Sequence, residues 1–219
     1  MSEVTDVAIV GAGGFAREAL WVFEESNAES HRWNVLGYVD NDSELQDAEI
    51  CGVPVLGNDD WIKEHLPHSV KLLSAIGSPR ARKAVASKMS GWGFRFCSVV
   101  HPSARMSRFV EIGEGTIVTA GNIITTQIRL GNHVLMNLDC TVGHDSVIND
   151  YCVVSPGAHI SGNVTLGEGV ELGTGACVIP GKRIGDWSII GAGSVVVKDI
   201  PSHVTAVGLP CRVIKSHNE

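Results

Sequence analysis

The sequence predicts an α/β, Rossmann-like domain over residues 1–97, followed by a parallel β-helix over residues 98–219 that ends in a short tail. Two patterns lead to this prediction. Apolar runs alternate with segments of helical spacing in the first part, and an aliphatic residue recurs at every sixth position in the second. The composition agrees, because the 219 residues include 25 Gly but only 5 Phe, 5 Trp and 2 Tyr, so that few rings are left to fill a core.

The first domain begins with a strand that runs into a glycine-rich turn. Residues 7–10 are apolar, Gly11-Ala12-Gly13-Gly14 follows, and residues 15–25 then have the spacing of a helix with one apolar face. Further strands are predicted at 35–40 and 71–76, and further helices at 59–65 and 80–89. Strands that alternate with helices predict a parallel sheet with right-handed crossovers.

The second domain carries the six-residue repeat. From Val100 onward, 17 consecutive sixth positions hold Val, Ile, Leu or Met. These positions are Val100, Met106, Ile112, Val118, Ile124, Leu130, Met136, Val142, Ile148, Val154, Ile160, Leu166, Leu172, Val178, Ile184, Ile190 and Val196. The period is typical of a β-helix with three hexads, or about 18 residues, per triangular coil. The Gly, Asn, Ser or Thr that often follows the aliphatic residue is expected to form corners that need positive φ or compact polar side chains.

Several motifs occur in order along the chain. They are Val10-Gly11-Ala12-Gly13-Gly14, Gly37-Tyr38-Val39-Asp40, Ala75-Ile76-Gly77, Val142-Gly143-His144-Asp145, Ser155-Pro156-Gly157-Ala158, Ser161-Gly162-Asn163-Val164, Ile190-Gly191-Ala192-Gly193-Ser194-Val195-Val196 and Val207-Gly208-Leu209-Pro210. In these motifs the sequence resembles the hexapeptide-repeat sugar O-/N-acyltransferases of the sialic acid O-acetyltransferase and bacillosamine-pathway N-acetyltransferase type. The resemblance implies a left-handed β-helix and a homotrimer. It also implies acetyl-CoA as acyl donor and a nucleotide-linked amino sugar as acceptor.

Charge and cysteine content exclude several classes of protein. A net charge of −7 lacks the basic footprint of a nucleic-acid-binding protein, and no apolar run approaches the roughly 20 residues of a membrane span. The acidic start is unlike a signal peptide, so we expect a soluble, cytoplasmic protein. The six cysteines form no CxxC pair, which favours small buried thiols over metal ligands or disulfides.

The glycine-rich turn is a candidate phosphate site. Gly11-x-Gly13-x-x-Ala16 follows a strand and opens a helix, where backbone N–H groups favour an anion, although the same pattern also serves as a plain tight turn. A domain of about 97 residues is short for a dinucleotide, which makes NAD the lesser option. The resemblance places Gly13, Gly14 and Phe15 near the phosphates and Asp40 near the nucleoside. Arg82, with Lys83, is expected either to meet phosphates or to lie on a solvated helix face.

His144 is the candidate catalytic base. Acyl transfer to an amine or hydroxyl needs a base within reach of the nucleophile, and a carboxylate such as Asp145 can orient the imidazole. Neighbouring residues on a strand point to opposite faces, so a direct His144–Asp145 pair requires a corner. The alternative is an ordinary surface histidine, and the resemblance favours catalysis. Some relatives carry a second histidine where Val153 stands, which disfavours a mechanism with two histidines.

The resemblance also predicts contacts with substrate and coenzyme A. Asn137 is expected beside the base, and the N–H of Gly162 is expected to contact the thioester carbonyl. Further coenzyme A contacts are expected along the later coils, although each of these residues also fits a plain corner or a solvated rim. They are Thr174, Ala192, Lys198 and Arg212.

Three classes of function stay open at this point. The first is an acetyl-CoA-dependent transferase that acts on an amino group, or alternatively on a hydroxyl, of a nucleotide-linked sugar. The second is a zinc enzyme like the γ-carbonic anhydrases, which the spacing of the array's histidines argues against. The histidines at 133 and 159 are expected to be exposed polar residues. The third is a β-helix scaffold without catalytic activity that binds a nucleotide.

Overall fold

The computed structural model of the protein describes residues 4–217 and divides the chain into two compact units. The first unit ends at Pro102 and the second begins at Ser103, whereas the sequence places the boundary at residue 97. None of the helices within residues 4–217 combines the length and the hydropathy that a membrane crossing requires.

The first unit is a five-stranded sheet with helices, and its strand order is β3-β4-β2-β1-β5. All pairs are parallel except β3 with β4. The elements are β1 (Thr5–Val10), α1 (Gly14–Glu29), β2 (Trp33–Val39), a 3-10 turn (Ser43–Leu45), β3 (Glu49–Ile50), β4 (Val53–Gly57), α2 (Asp59–His65), β5 (Lys71–Ser74), α3 (Pro79–Gly91) and β6 (Val99–Val100). The hairpin of β3 and β4 escapes sequence analysis, because Gly52 and Pro54 interrupt its short apolar pattern.

Two of the three helices have side-chain caps. Asn58 Oδ1 accepts the N–H of Trp61 (3.0 Å) at the start of α2, and Ser78 caps α3 with Pro79 in its first turn. Helix α1 differs, since Gly13 at its N-cap supplies no side chain and its first turn holds no acidic residue. No side-chain cap and no acidic residue of the first turn therefore compensates the positive end of the α1 dipole.

The second unit is a parallel β-helix whose coils repeat every three short strands. Face 1 consists of β7 (Arg105–Met106), β10 (Ile123–Ile124), β13 (Thr141–Val142), β16 (His159–Ile160), β19 (Cys177–Val178) and β22 (Val195–Val196). Face 2 consists of β8 (Val110–Ile112), β11 (Ile128–Leu130), β14 (Val147–Ile148), β17 (Thr165–Leu166) and β20 (Arg183–Ile184). Face 3 includes β9 (Ile117–Val118), β12 (Leu135–Met136), β15 (Val153–Val154), β18 (Glu171–Leu172), β21 (Ile189–Ile190), β23 (Val204–Val207) and the antiparallel β24 (Arg212–Ser216).

The predicted aliphatic repeat fills the interior of the coils. Every repeat position from Val118 to Val196 is buried, and only Val100, Met106 and Ile112 are partly exposed. Strands one coil apart pair in register, as Thr141 with His159 does, and this pairing keeps like residues stacked. Stacked Val, Ile and Leu thus form the core that the composition left unexplained.

The corners differ from the prediction in one respect. Positive φ occurs at the third residue after each aliphatic position from Ile112 to Ile190, that is, at every sixth residue from Gly115 to Gly193. Gln, His, Asp, Tyr, Asn and Trp occupy some of these places. The glycines directly after the aliphatic residues are not in that conformation. At several of them, such as Gly173, a Cβ would meet the backbone of the next coil, so close approach rather than φ explains them.

Candidate active site

His144 lies in the corner between face 1 and face 2. The next residue, Asp145, has φ +59°, and this left-handed turn brings the two side chains together. His144 Nδ1 and Asp145 Oδ2 are 2.8 Å apart, which confirms that the direct pair exists. With Nδ1–H donated to the carboxylate, Nε2 is the ring nitrogen left to take a proton. The side chains are 61% and 51% exposed, so a ligand can reach them.

Gly162 lies one coil above His144 and packs against its imidazole ring. A Cβ at Gly162 would stand 2.7 Å from Nε2 and 2.8 Å from Cε1 of His144, so only glycine leaves room for the ring. The carbonyl of Gly162 accepts the N–H of Gly181 (3.0 Å), whereas within residues 4–217 its own N–H donates to no backbone acceptor. Gly162, which packs against the candidate base, thus keeps a backbone donor that no backbone carbonyl among residues 4–217 accepts.

Five residues spaced by one coil form the edge of the prism that contains the base. This His144 edge consists of Thr126, His144, Gly162, Pro180 and Lys198, and backbone bonds such as Asn163 N–H to His144 O (2.8 Å) connect its coils. Coils are about 4.8 Å apart, so Lys198 lies roughly 14 Å along the axis from His144. Gly162 and Lys198 are therefore aligned with the base, as a long extended ligand would require.

Two other predicted coenzyme A residues, Thr174 and Ala192, lie on a different edge. The Thr174 edge, between face 3 and face 1, consists of Leu138, Pro156, Thr174 and Ala192, with Asn137 directly before it. Thr174 and Ala192 are exposed, and Asn137 is half-buried. Face 1 separates the Thr174 edge from the His144 edge, because its strand β13 lies between Leu138 and His144. One chain therefore does not bring these residues to His144. Arg212 is exposed on β24.

The glycine-rich turn ends β1 at the carboxyl edge of the first unit's sheet. Gly11 has φ +100°, a conformation that favours glycine, and Gly13 and Gly14, the N-cap and first residue of α1, are exposed. No side chain caps the first turn of α1, and Phe15 is half-buried within it. The turn thus leaves backbone N–H groups available to an anion.

Asp40 organises this turn. Its Oδ2 accepts the N–H of Ala12 (2.8 Å) and its Oδ1 accepts the N–H of Asp42 (3.0 Å). The carboxylate therefore fixes the end of β2 against the glycine-rich turn. Each oxygen keeps a further lone pair, so a ligand hydroxyl can still bind there.

A cavity of about 200 Å³ opens beside the turn, at the carboxyl ends of β1, β2 and β5. Ligands of open α/β sheets bind in this kind of position, where the strand order reverses. Its lining includes Gly11, Asp40, Asn41 and Asp59. Sequence analysis missed Asp59, because nothing in its local pattern shows that the start of α2 meets the end of β2.

Arg82 corrects one prediction. It is fully buried, neither on a solvated face nor placed to contact a ligand, and its Nη1 donates to the carbonyls of Ile76 (2.6 Å) and Gly77 (3.0 Å). The guanidinium satisfies the backbone of the loop after β5, which forms one wall of the cavity. Arg82 thus stabilises the loop that forms this wall and does not line the cavity itself.

Two other histidines of the β-helix, His133 and His159, differ in burial and in their partners. His133 is buried, contrary to prediction, and stacks on Tyr151 with 5.2 Å between ring centroids. His159 is exposed, as predicted, and its Nδ1 lies 2.9 Å from Thr141 Oγ1. Within residues 4–217, no three His, Cys, Asp or Glu side chains are grouped to hold a metal ion.

The cysteines are free thiols, and four of the six are buried. They are Cys97, Cys140, Cys152 and Cys211, while Cys177 is half-buried and Cys51 is exposed. Burial raises the pKa of the Cys140 thiol to about 11, so it stays protonated at neutral pH. The burial of these four thiols agrees with the prediction of small buried thiols.

The first unit matches a known family model, the PglD N-terminal domain, over residues 6–89. Among relatives, the GDP-perosamine N-acetyltransferase of Escherichia coli O157:H7 is 29% identical over 218 residues, which cover 94% of this chain and 95% of that protein. The galactoside O-acetyltransferase of Lactococcus lactis subsp. lactis is 43% identical over 99 residues. That match covers 43% of this chain and 45% of the relative, so the chain spans less than half of that protein.

A solved structure is similar over almost the whole chain. PerB from Caulobacter crescentus, in complex with CoA and GDP-perosamine, is 35% identical and has a TM-score of 0.86. The match covers 97% of this chain and 99% of that chain. This likeness confirms the predicted architecture, a Rossmann-like α/β domain followed by a left-handed parallel β-helix.

Proposed function

Because this chain belongs to the hexapeptide-repeat family of sugar acyltransferases, we propose that it transfers the acetyl group of acetyl-CoA to the amino group of a nucleotide-linked amino sugar. The observation that carries the proposal is the His144 site. Nδ1 is held by Asp145 at 2.8 Å, and Gly162 packs so closely on the imidazole that a Cβ there would stand 2.7 Å from Nε2. A base and an oxyanion donor next to each other are what acyl transfer needs.

The reaction then follows from these two groups. The amine of the sugar attacks the thioester carbonyl while Nε2 of His144 takes the amine proton, and a C–N bond forms. Gly162 N–H donates to the oxygen on which negative charge develops. When the C–S bond breaks, the imidazolium returns its proton to the leaving thiolate. Asp145 orients the ring and stabilises its charged form without taking a proton itself.

Coenzyme A is proposed to lie along the His144 edge. With the thioester at Gly162, the pantetheine arm passes Pro180, whose position offers no N–H and no polar side chain. Lys198, roughly 14 Å from His144 along the axis, is then placed for a phosphate at the far end of the arm. Arg212 is a further exposed cation in this part of the chain.

Thr174, Ala192 and Asn137 require a second subunit. They lie on the Thr174 edge, one full face away from His144, so a second copy has to present that edge to the base. We therefore include a homotrimer with shared sites in the proposal. Mixing His144→Ala subunits with Ala192→Trp subunits should restore part of the activity in mixed trimers. If the mixed trimers regain no activity, or if light scattering shows that the protein is a monomer, shared sites are contradicted.

The first unit is proposed to bind the nucleotide of the acceptor. The uncapped N-terminus of α1, with the N–H groups of Gly13, Gly14 and Phe15, suits the diphosphate, and Asp40 can accept a ribose hydroxyl. Such substrates and acetyl-CoA fit the cytoplasmic location expected from the sequence, which stays a prediction.

O-acetylation is the second candidate, since the galactoside O-acetyltransferase matches 99 residues at 43% identity. The two reactions are separated by their product. Acetyl-CoA and a panel of nucleotide-linked amino sugars are incubated with the protein, and the product is treated with hydroxylamine, which cleaves an ester but leaves an amide intact. A stable product supports N-acetylation and a labile one supports the alternative. Absence of any acetylated product from the panel would contradict both.

A further inference from the structure

Asn122 places a polar amide inside the β-helix, at the corner that leads into face 1. Its side chain has no solvent exposure. The equivalent position of the other coils holds a smaller residue in each case: Ala104, Cys140, Ala158, Ala176 and Ser194. A buried amide lowers stability unless its polar atoms find hydrogen-bond partners, so the partners of Asn122 decide what it does there.

The Asn122 side chain connects two successive coils. Nδ2 donates to the carbonyl of Thr119 (2.8 Å), in the same corner, and to the carbonyl of Asn137 (2.9 Å), one coil above. Among residues 4–217, no backbone N–H donates to either carbonyl. One coil further up, the backbone supplies this bond itself, since Ala158 N–H donates to the carbonyl of Ser155 (3.2 Å). The amide of Asn122 thus replaces a backbone donor in two turns.

The oxygen of the same amide is unmatched. Asn122 Oδ1 is buried and, within the described residues 4–217, has no hydrogen-bond partner. A buried acceptor in this state costs free energy, and the alanines at equivalent positions form the same corner without any amide. Stability alone therefore does not explain Asn122. A buried polar group that breaks the rule of full pairing is expected where a function requires it.

Asn137 is the residue whose backbone Asn122 holds. It is half-buried and lies directly before the Thr174 edge, which the proposed trimer presents to His144 of the next subunit. Its N–H donates to the carbonyl of Val154 (2.9 Å), and its own carbonyl accepts the bond from Asn122. Because the peptide groups on both sides are bonded, the Cα from which the Asn137 side chain extends is fixed.

We propose that Asn122 is a positioning residue for acetyl transfer, which holds Asn137 where its side chain meets the acceptor beside His144 of the next subunit. The inference rests on the proposed function and on its shared sites. Asn122 is fully buried, so it contacts neither the acceptor nor coenzyme A and acts only through Asn137. A displacement of about 1 Å at such a contact can cost about 10²-fold in rate.

Asn122→Ala tests this role with little change to the core, because it copies Ala158, which occupies the equivalent position two coils above. The rate of CoA thiol release with nucleotide-linked amino sugars should fall by about tenfold or more. Ser188→Ala is the matched control, since Ser188 is equally buried and its Oγ donates to the carbonyl of Pro201 (2.7 Å) at the corner between faces 2 and 3. The control should keep the full rate at a similar loss in melting temperature. Equal rates for the two variants would overturn the proposal.

A double-mutant cycle with Asn137→Ala separates positioning from a general loss of structure. Once the Asn137 side chain is removed, nothing remains for Asn122 to position, so Asn122→Ala should then change the rate by less than about twofold. A residue that only stabilises the fold would cost the same factor in both backgrounds. The same loss in the Asn137→Ala background as in the unmodified protein would therefore contradict the proposal.

This proposal and the proposed function fail in different ways. If CoA release requires His144 and the acceptor but Asn122→Ala keeps the full rate, only the role of Asn122 is wrong. If the unmodified protein releases no CoA with any nucleotide-linked amino sugar, the proposed function is wrong and the role of Asn122 falls with it.

Discussion

Replacement of Gly162 by Ala should impair the catalytic base and leave the fold intact. The new methyl would stand 2.7 Å from Nε2 and 2.8 Å from Cε1 of His144, whereas nonbonded carbon atoms prefer about 3.5–4.0 Å. The ring must therefore move by roughly 1 Å. Since the His144 side chain is 61% exposed, it can move into solvent, away from its 2.8 Å bond to Asp145.

The expected loss is catalytic. A misplacement of about 1 Å can cost about 10²-fold in rate, which corresponds to about 2.7 kcal/mol of activation free energy. The free energy of unfolding should change by less than about 1 kcal/mol, because the displaced ring is at the surface. The measurements are kcat/KM from release of CoA thiol, and thermal unfolding. Gly91→Ala, at an open position of ordinary φ, is the matched control.

A double-mutant cycle tests whether the effect passes through His144. In a His144→Ala background the methyl has no ring to displace, so Gly162→Ala should change the residual rate by less than about twofold. A further loss of about tenfold or more in that background would refute the ring argument and point to the Gly162 N–H instead. Full activity of the single variant would also refute it.

Three further predictions concern Asp145, Arg82 and Cys140. Asp145→Asn should lower kcat by about tenfold or more without changing the melting temperature, as steady-state kinetics and calorimetry would check. Arg82→Met removes from a fully buried position the donor that binds the carbonyls of Ile76 and Gly77, so the free energy of unfolding in urea should fall by about 1–3 kcal/mol. The Cys140 thiol, with its pKa raised to about 11 by burial, should resist iodoacetamide at pH 8 until the protein unfolds. The exposed Cys51 should be labelled first in a mass-spectrometric time course, and early labelling of Cys140 would contradict its burial.

The repeat made the second unit predictable. An aliphatic residue at every sixth position leaves one way to bury all of them, and the buried positions from Val118 to Val196 follow it. The same period contains the contact between Gly162 and His144, because the two residues are one coil apart. The sequence showed only that a direct His144–Asp145 pair requires a corner. It did not predict the left-handed conformation of Asp145, because several residue types occupy the equivalent corner positions.

Three buried residues, two in the first unit and one in the second, show what local patterns leave out. Arg82 looks like a surface residue of a helix, and its burial depends on the carbonyls that the loop after β5 turns towards it. His133 is buried by Tyr151, a residue one coil away that no local pattern connects to it. Asp59 joins the cavity only because α2 begins where β2 ends. Each of these depends on tertiary contacts that propensity and periodicity do not contain.

The most direct test is the rate at which CoA thiol is released from acetyl-CoA in the presence of nucleotide-linked amino sugars, compared between the unmodified protein and His144→Ala. The account predicts release that depends on the nucleotide-linked amino sugar and falls by about 10²- to 10⁴-fold in the variant, with unchanged thermal unfolding. Sugar-dependent release at the same rate in the folded variant would contradict the account.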